Sequence, residues 1–249
     1  MENFGAEVYA SPTDRTHAGR AALEQDPDNP GSLGLAISEA VEVAATSGGA
    51  KKYSLGSVLN HVLMHQTVIG EEALMQTLAP GASAGVEMAG EYPDFVIGCA
   101  GGGTLRDFAS FAYPFLHQNL SNGKKSKIIA VEPAGCPSMT KGTYTFDWGD
   151  QAGTAPIVKM YTLGYTFIPP AEGPCRRPAL SRMAPSVSAL VEHGDIEPRA
   201  VKQLETFAAA VQFSKVEGTP ALALRASAVQ VSSPRPRART PSGWRLTKP

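Results

Sequence analysis

One short segment, residues 94–108 (DFVIGCAGGGTLRDF), constrains the fold of this chain more than any other. Phe95–Cys99 is apolar and strand-sized, which is typical of a strand buried on both faces of a parallel sheet. Gly101, Gly102, Gly103 and Thr104 follow it, and a helix is predicted over residues 108–116. A strand, a glycine-rich turn and a helix in this order predict an α/β protein.

The glycine-rich turn is also the strongest candidate for a binding site. Glycine lets the backbone approach an anion closely, the N-terminus of the next helix adds a positive dipole, and Thr104 offers a hydroxyl. The spacing is neither that of a Walker A loop nor the GxGxxG dinucleotide fingerprint. A phosphate cradle and a tight strand-to-helix turn without a ligand both fit these residues.

The rest of the hydrophobic pattern alternates between the two kinds of element, which predicts a parallel sheet covered on both faces. Further strands are predicted at residues 5–11, 53–58 and 128–132. Further helices are predicted at residues 14–25, 35–46, 67–78, 185–193 and 198–216. The aromatic segments 144–149 (YTFDWG) and 160–170 (MYTLGYTFIPP) are interpreted as loops, either lids on the core or the rim of a pocket.

Other chemistry-bearing residues are weaker candidates. His61 and His65 are spaced to share one helical face, but no third ligand accompanies them, so no metal site is predicted. Glu71 and Glu72 lie at a predicted helix start, where the helix dipole alone accounts for negative charge. The three cysteines are widely spaced and form no CxxC pair, so neither a zinc site nor a disulfide framework is indicated.

Charge divides the chain into two parts. The 249 residues carry 22 basic and 23 acidic side chains, and this balance gives no reason to expect a nucleic-acid or membrane partner. Six of the basic residues follow Gly218, which leaves a body with 16 basic and 23 acidic residues. Residues 232–249 lack periodicity and acidic residues, so a disordered tail is predicted there. No signal peptide and no membrane-length apolar run are recognised, which favours the cytoplasm.

Several longer segments together resemble one enzyme family, the second type of tryptophan synthase β chain. They are NPGSLGLAISEAVE (29–42), GSVLNHVLMHQTVIGEE (56–72), VIGCAGGGT (96–104), FAYPF (111–115), VEPAGCPSMTKGTYTFDWGD (131–150), KMYTLGYTFIPP (159–170) and MAPSVSALVEHGDIEPRAV (183–201). Serine/threonine dehydratases share the glycine-rich loop, but that family does not account for HQTVIGEE or VEPAGCPS.

The resemblance implies the three-layer α/β fold of type II pyridoxal-phosphate enzymes. Residues 1–80 would be the remainder of an N-terminal domain, 81–218 a C-terminal domain with the parallel sheet, and 219–249 a disordered or frame-shifted tail. The implied reaction condenses indole with L-serine to give L-tryptophan, in a homodimer that uses pyridoxal 5′-phosphate. Residues 35–72 resemble the mobile region that closes over the substrate.

The same resemblance assigns cofactor binding to Gly101, Gly102, Gly103 and Thr104, which match the GGGSN loop that holds the cofactor phosphate. Thr104 replaces serine and keeps the hydroxyl, whereas Leu105 replaces asparagine and loses a polar group. No catalytic residue is assigned, because the NPTGSHK and ETGAGQ motifs with the family's lysine and glutamate do not occur in this sequence. The chain is therefore expected to be inactive alone. The alternative is a non-catalytic fragment that binds phosphate or cofactor weakly, or dimerises.

One internal segment departs from the family pattern. The family reads HAGGLRYHG before its MAP motif, where this chain has PCRRPALSR at residues 174–182. The codons CCA TGC AGG CGG CCT GCG CTA TCA CGG encode the present residues, and read from their second base they encode HAGGLRYH. We therefore expect a local reading-frame excursion that ends before Met183, which the underlying DNA sequence tests.

Overall fold

The computed structural model describes residues 2–29, 31, 33–54, 60–78, 92–100, 108–150, 153, 155–167 and 182–218. After a short 3-10 turn at Glu2–Phe4, the helices are α1 His17–Gln25, α2 Leu33–Thr46, α3 Asn60–Gln66, α4 Val68–Leu78, α5 Phe108–Asn122, α6 Ser138–Lys141, α7 Pro185–His193 and α8 Gln203–Glu217. The strands are β1 Phe95–Cys99, β2 Lys127–Pro133, β3 Thr143–Trp148, β4 Ile157–Thr162 and β5 Glu197–Val201.

The central sheet is parallel, with strand order β1-β2-β5. Cys99 pairs with Val131, which in turn pairs with Arg199. Ile128 and Ala130 are buried on one face of β2, and Ile129 and Val131 are buried on the other. A middle strand covered on both faces reads as a continuous apolar run rather than an alternating one. The predicted α/β class with a parallel sheet is confirmed.

The main core lies on the face of the sheet that α5 covers. Phe108 and Phe115 of α5 are fully buried beside Val187 of α7 and Leu63 of α3. The hydroxyl of Tyr113 reaches from α5 to α7 and donates to Ser186 Oγ at 2.8 Å. Side-chain burial holds α5 in this core, and the polar contact joins it to α7. The glycine-rich loop precedes the N-terminal end of α5.

Two carboxylates of α2 hold the N-terminal segment in place. Glu39 is buried and accepts hydrogen bonds from Thr13 N at 2.9 Å and Thr16 Oγ1 at 2.8 Å. Glu42 accepts from the first backbone N–H groups of α1, those of His17 at 2.6 Å and Ala18 at 3.0 Å. These donors have no partner within their own helix, so α2 supplies the cap that α1 needs.

Two predicted elements are wrong. Residues 5–11 form no strand and pair with none in the described part of the chain, and Val8 and Tyr9 are about half exposed. The helix predicted over residues 198–216 is divided into β5 and α8, because the backbone of residues 197–201 pairs with β2 and Val201 packs on Ile129.

The two aromatic segments predicted to be loops lie partly in an antiparallel hairpin instead, with residues 144–148 in β3 and residues 160–162 in β4. Residues 163–167 belong to no helix or strand, as predicted. Tyr144 faces Tyr161 across the hairpin, with ring centroids 5.3 Å apart. Thr162 Oγ1 donates to Asp147 Oδ2 at 2.5 Å. Cross-strand aromatic and hydroxyl pairs of this kind stabilise a sheet, which is why these residues are ordered as strands.

Several predictions fall outside the described residues. They are most of the strand at 53–58, the domain boundary near residue 80, all but the last residue of the frame excursion at 174–182, and the tail at 219–249. The helices that the structure does describe include none with the length and apolarity needed to cross a bilayer.

Candidate phosphate site at the carboxyl edge of the sheet

The glycine-rich loop joins two elements that the structure places in contact. β1 ends at Cys99, and Ala100 N continues the ladder with a hydrogen bond of 2.7 Å to Val131 O. α5 begins at Phe108. The strand therefore has the predicted bounds, and the helix begins where predicted but continues to Asn122, beyond the predicted end at residue 116. The loop itself, with Gly101, Gly102, Gly103 and Thr104, lies outside the described residues, and its role stays a prediction.

Gly98 allows α5 to begin close to β1. A Cβ at this position would come within 2.9 Å of Phe108 Cδ2, closer than real Cβ atoms tolerate, and within 3.2 Å of Phe108 Cα. The first turn of α5 thus lies directly on the last residues of the strand. The N-terminus of a fifteen-residue helix, with its positive dipole, is directed at the carboxyl edge of the sheet.

A buried carboxylate stands at the end of the central strand. Glu132 is 1% exposed and accepts hydrogen bonds from Met139 N at 2.9 Å, Thr140 N at 2.8 Å and Thr140 Oγ1 at 2.6 Å. Burial raises the pKa of Glu132, although these hydrogen bonds oppose the shift. Glu132 fixes the turn that leads from β2 into α6, and so shapes the edge next to the loop.

A second buried polar cluster surrounds the end of the β3–β4 hairpin. Asp150 is 1% exposed and accepts from Ala155 N at 2.9 Å and from Ser38 Oγ at 3.4 Å. Arg182, 5% exposed, donates to Tyr165 O at 3.4 Å. Burial lowers the pKa of Arg182, and the charges of Asp147 and Asp150 act in the opposite direction.

The weaker candidates are placed away from these clusters. His61 and His65 are exposed on α3, and Glu71 and Glu72 are exposed at the start of α4. Glu71 and His117 line a groove of about 440 Å³ between α4 and α5. Across the described ranges, no three histidine, cysteine, aspartate or glutamate side chains are grouped as metal ligands would be.

Sequence reasoning singled out the loop but missed Glu132 and Asp150. The position of Glu132 at the carboxyl end of a buried apolar strand was an available signal, because the carboxyl ends of parallel strands meet at one edge of the sheet. Asp150 had no comparable signal, since its contact with Ser38 spans 112 residues. The structure defines the class of protein as parallel α/β with a glycine-rich loop between the first described strand and its helix.

Comparison with known proteins identifies the family. The chain is 51% identical over 219 residues to the tryptophan synthase beta chain 2 of Aeropyrum pernix, covering 88% of this chain and 46% of that protein. The Pyrococcus horikoshii tryptophan synthase beta chain is 49% identical over 219 residues, with 88% and 44% covered. The corresponding Thermotoga maritima beta chain 2 is 50% identical over 220 residues, with 88% and 48% covered.

Over these residues the chain belongs to the tryptophan synthase β-chain family, as the sequence resemblance indicated. It spans about half the length of the relatives it matches. No protein-family model matches it. Among solved structures, a fungal L-serine ammonia-lyase from Rhizomucor miehei superposes with a TM-score of 0.47 at 14% identity, covering 76% of this chain and 50% of that one.

Proposed function

We propose that this chain supplies the phosphate-binding half of a pyridoxal-phosphate-dependent tryptophan synthase β chain. One observation carries the proposal. The relatives are about 50% identical across the region containing the glycine-rich loop, and the flanks of that loop place a helix N-terminus at the carboxyl edge of a parallel sheet. This edge is where parallel α/β proteins bind ligands.

Gly101, Gly102, Gly103 and Thr104 would hold the cofactor phosphate through backbone N–H groups and the threonine hydroxyl. Gly98 supports this role because it lets α5 begin against the strand and direct its dipole at the phosphate. The hydrogen bond from Ala100 N to Val131 O fixes the start of the loop. When bound, the cofactor supplies the electron sink that amino-acid chemistry requires, and the protein supplies orientation.

The full reaction of the family joins L-serine and indole into L-tryptophan, and we propose these as the substrates of the complete enzyme. A homodimer and a cytoplasmic location are proposed on the same basis. The lysine and glutamate motifs expected for covalent cofactor attachment and proton transfer do not occur among the 249 residues. The 249-residue polypeptide assayed alone is therefore proposed to bind the cofactor without catalysing the reaction.

The test is an assay of tryptophan formed from serine and indole by the purified 249-residue chain, with the intact Aeropyrum pernix β chain as positive control. Dialysis of the chain after incubation with the cofactor, followed by borohydride reduction and mass spectrometry, reports whether any lysine retains it covalently. We expect no tryptophan and no covalently retained cofactor. Tryptophan formation, or a lysine that keeps the cofactor, would show that this chain is catalytically complete.

A further inference from the structure

A groove of about 440 Å³ between α4 and α5 has partly apolar and aromatic walls. Leu74 lines it on α4, and Tyr113 and Pro114 line it on α5. The hydroxyl of Tyr113 donates to Ser186 Oγ at 2.8 Å, and this contact holds the aromatic wall in place without a ligand. Grooves lined by aromatic side chains bind proline-rich segments, because such segments are already extended and lose little conformational freedom on binding.

Glu71 gives the same groove a negative charge. It is exposed, lines the groove one turn before Leu74, and forms no ion pair within the part of the chain that the structure describes. Glu72 is also exposed, but it is not among the described residues that line the groove. The groove therefore fits a ligand that places a cation beside a small apolar surface.

Residues 234–241 (PRPRARTP) of this chain have the matching chemistry. Prolines favour the polyproline II conformation, which repeats every three residues and makes no internal hydrogen bonds. In that conformation Arg235, Ala238 and Pro241 share one edge. This edge offers one cation followed by two small apolar residues, which suits a carboxylate beside an apolar and aromatic wall.

The end of α8 leaves enough chain for this segment to reach the groove. Gly218 ends α8, and 16 residues separate it from Arg235. Extended, they span at most roughly 55 Å, whereas a globular domain of about 200 residues has a radius of gyration of about 16 Å. Charge favours the contact, because residues 219–249 carry six basic side chains and no acidic one, against 16 basic and 23 acidic in the rest of the chain.

We propose that residues 234–241 dock in the α4–α5 groove of their own chain, with Arg235 paired to Glu71 and with Ala238 and Pro241 against the wall formed by α5. An exposed ion pair contributes little by itself, so the pair sets the position of the segment. The apolar contacts and the high effective concentration of a segment on the same chain supply the rest of the affinity. The docked segment occupies a surface formed by α4 and α5 and needs no cofactor.

Limited trypsin digestion of the full chain reports on docking, because a bound segment cannot enter the protease. The measured quantity is the rate of cleavage after Arg237 and Arg239, divided by the rate after Arg225, which lies outside the docked segment. Trypsin does not cut the bond between Arg235 and its following proline, so Arg235→Gln removes a charge without removing a measured bond. The digestion is run at about pH 8, where histidine is ordinarily uncharged, because His117 also lines the groove.

Glu71→Gln and Arg235→Gln are each expected to raise the cleavage ratio several-fold. The double variant should cleave no faster than either single variant, because both remove the same contact. The matched controls are Glu72→Gln, which changes the neighbouring exposed carboxylate on α4, and Arg245→Gln, which removes a charge beyond the docked segment. Both controls should leave the ratio unchanged.

An unchanged ratio in Arg235→Gln overturns the proposal, and so does equal acceleration by Glu72→Gln. Arg235→Gln alters only the segment after α8, so its result stands even where Glu71→Gln weakens the fold. Protection that is independent of chain concentration supports docking within one chain. Protection lost on dilution places the segment on a second copy, and protection that appears only with added RNA assigns it to nucleic acid. Either of these two results contradicts the proposal.

Discussion

Gly70 of α4 lies directly against Pro114 of α5. A Cβ on Gly70 would come within 2.8 Å of Pro114 Cδ, 2.6 Å of Ser110 O and 2.4 Å of Phe111 O. Proline has no N–H to donate to the carbonyl one turn earlier, which is that of Ser110. Because Gly70 has no side chain, its backbone fits against the turn of α5 in which Pro114 cannot donate a hydrogen bond to Ser110 O.

Gly70→Ala is expected to destabilise the chain by about 1–3 kcal/mol, because backbone atoms must move to admit the methyl group. Alanine is the better helix former by about 1 kcal/mol, so helix propensity alone would stabilise the variant. A net loss of stability would therefore be due to close packing. Chemical denaturation measures the change. Glu72→Ala, at an exposed position of the same helix, is the control. A loss of stability at Gly70 no larger than that of the control contradicts the packing argument.

Glu42→Gln is expected to lower the free energy of unfolding by about 0.5–1 kcal/mol at neutral pH, because it weakens the cap of α1. This is the usual range for an interaction at a helix N-terminus. The backbone N–H of His17, and next that of Ala18, lower the pKa of Glu42 below its ordinary value of 4.5. A carboxyl group with a lowered pKa contributes stability above its unfolded value and loses it as pH falls through the folded value. The difference between wild type and variant should therefore shrink below pH 4.5, as measured by thermal melts. A difference independent of pH would exclude the charged cap.

Glu132 should show the opposite dependence on pH. Burial raises the pKa of Glu132, so its folded state holds the proton more tightly than its unfolded state does. Such a group loses its contribution to stability as pH rises from the unfolded value, 4.5, through the folded one. Glu132→Gln removes this pH dependence of stability. The loss of unfolding free energy in the variant is therefore expected to be largest near pH 4.5 and smallest at neutral pH. Denaturation across that range measures it, and a cost that grows with pH contradicts the assignment.

Elements governed by local pattern were predictable from the sequence. Phe95–Cys99 and Pro185–His193 have the predicted bounds, because one is an uninterrupted apolar run and the other begins with proline and ends at Gly194 in the left-handed conformation. β5 was mistaken for the start of a helix, since its strand conformation depends on pairing with β2. The alternation of threonine and aromatic residues in β3 was a strand signal that the loop interpretation overlooked.

The candidate site was predictable only in part, for a similar reason. Glycines between a buried strand and a helix identify a loop from sequence alone. The partners of Glu132 and Asp150 depend on how distant segments fold together, and Ser38 shows no pattern that indicates a contact 112 residues away.

Helix α8 carries an apolar stripe on its exposed side. Leu204, Phe207 and Val211 are 78%, 44% and 55% exposed, at spacings of three and four residues that place them on one helical face. We expect the chain to self-associate through such surfaces. Replacing all three with glutamine should shift light-scattering mass towards the monomer, whereas Gln212→Ser, on an exposed position of the same helix, should not. A monodisperse wild-type monomer with a cooperative melt would contradict this expectation.

Equilibrium dialysis with pyridoxal 5′-phosphate and with pyridoxal measures what the phosphate contributes to binding, because the two ligands differ only in that group. We expect the chain to retain the phosphorylated form more tightly, inorganic phosphate to compete with it, and Gly102→Asp to abolish the preference. Gly48→Asp, in an open turn after α2, should leave the preference intact. Equal retention of both ligands, or a preference that survives Gly102→Asp, would contradict the assignment of the glycine-rich loop as the phosphate site.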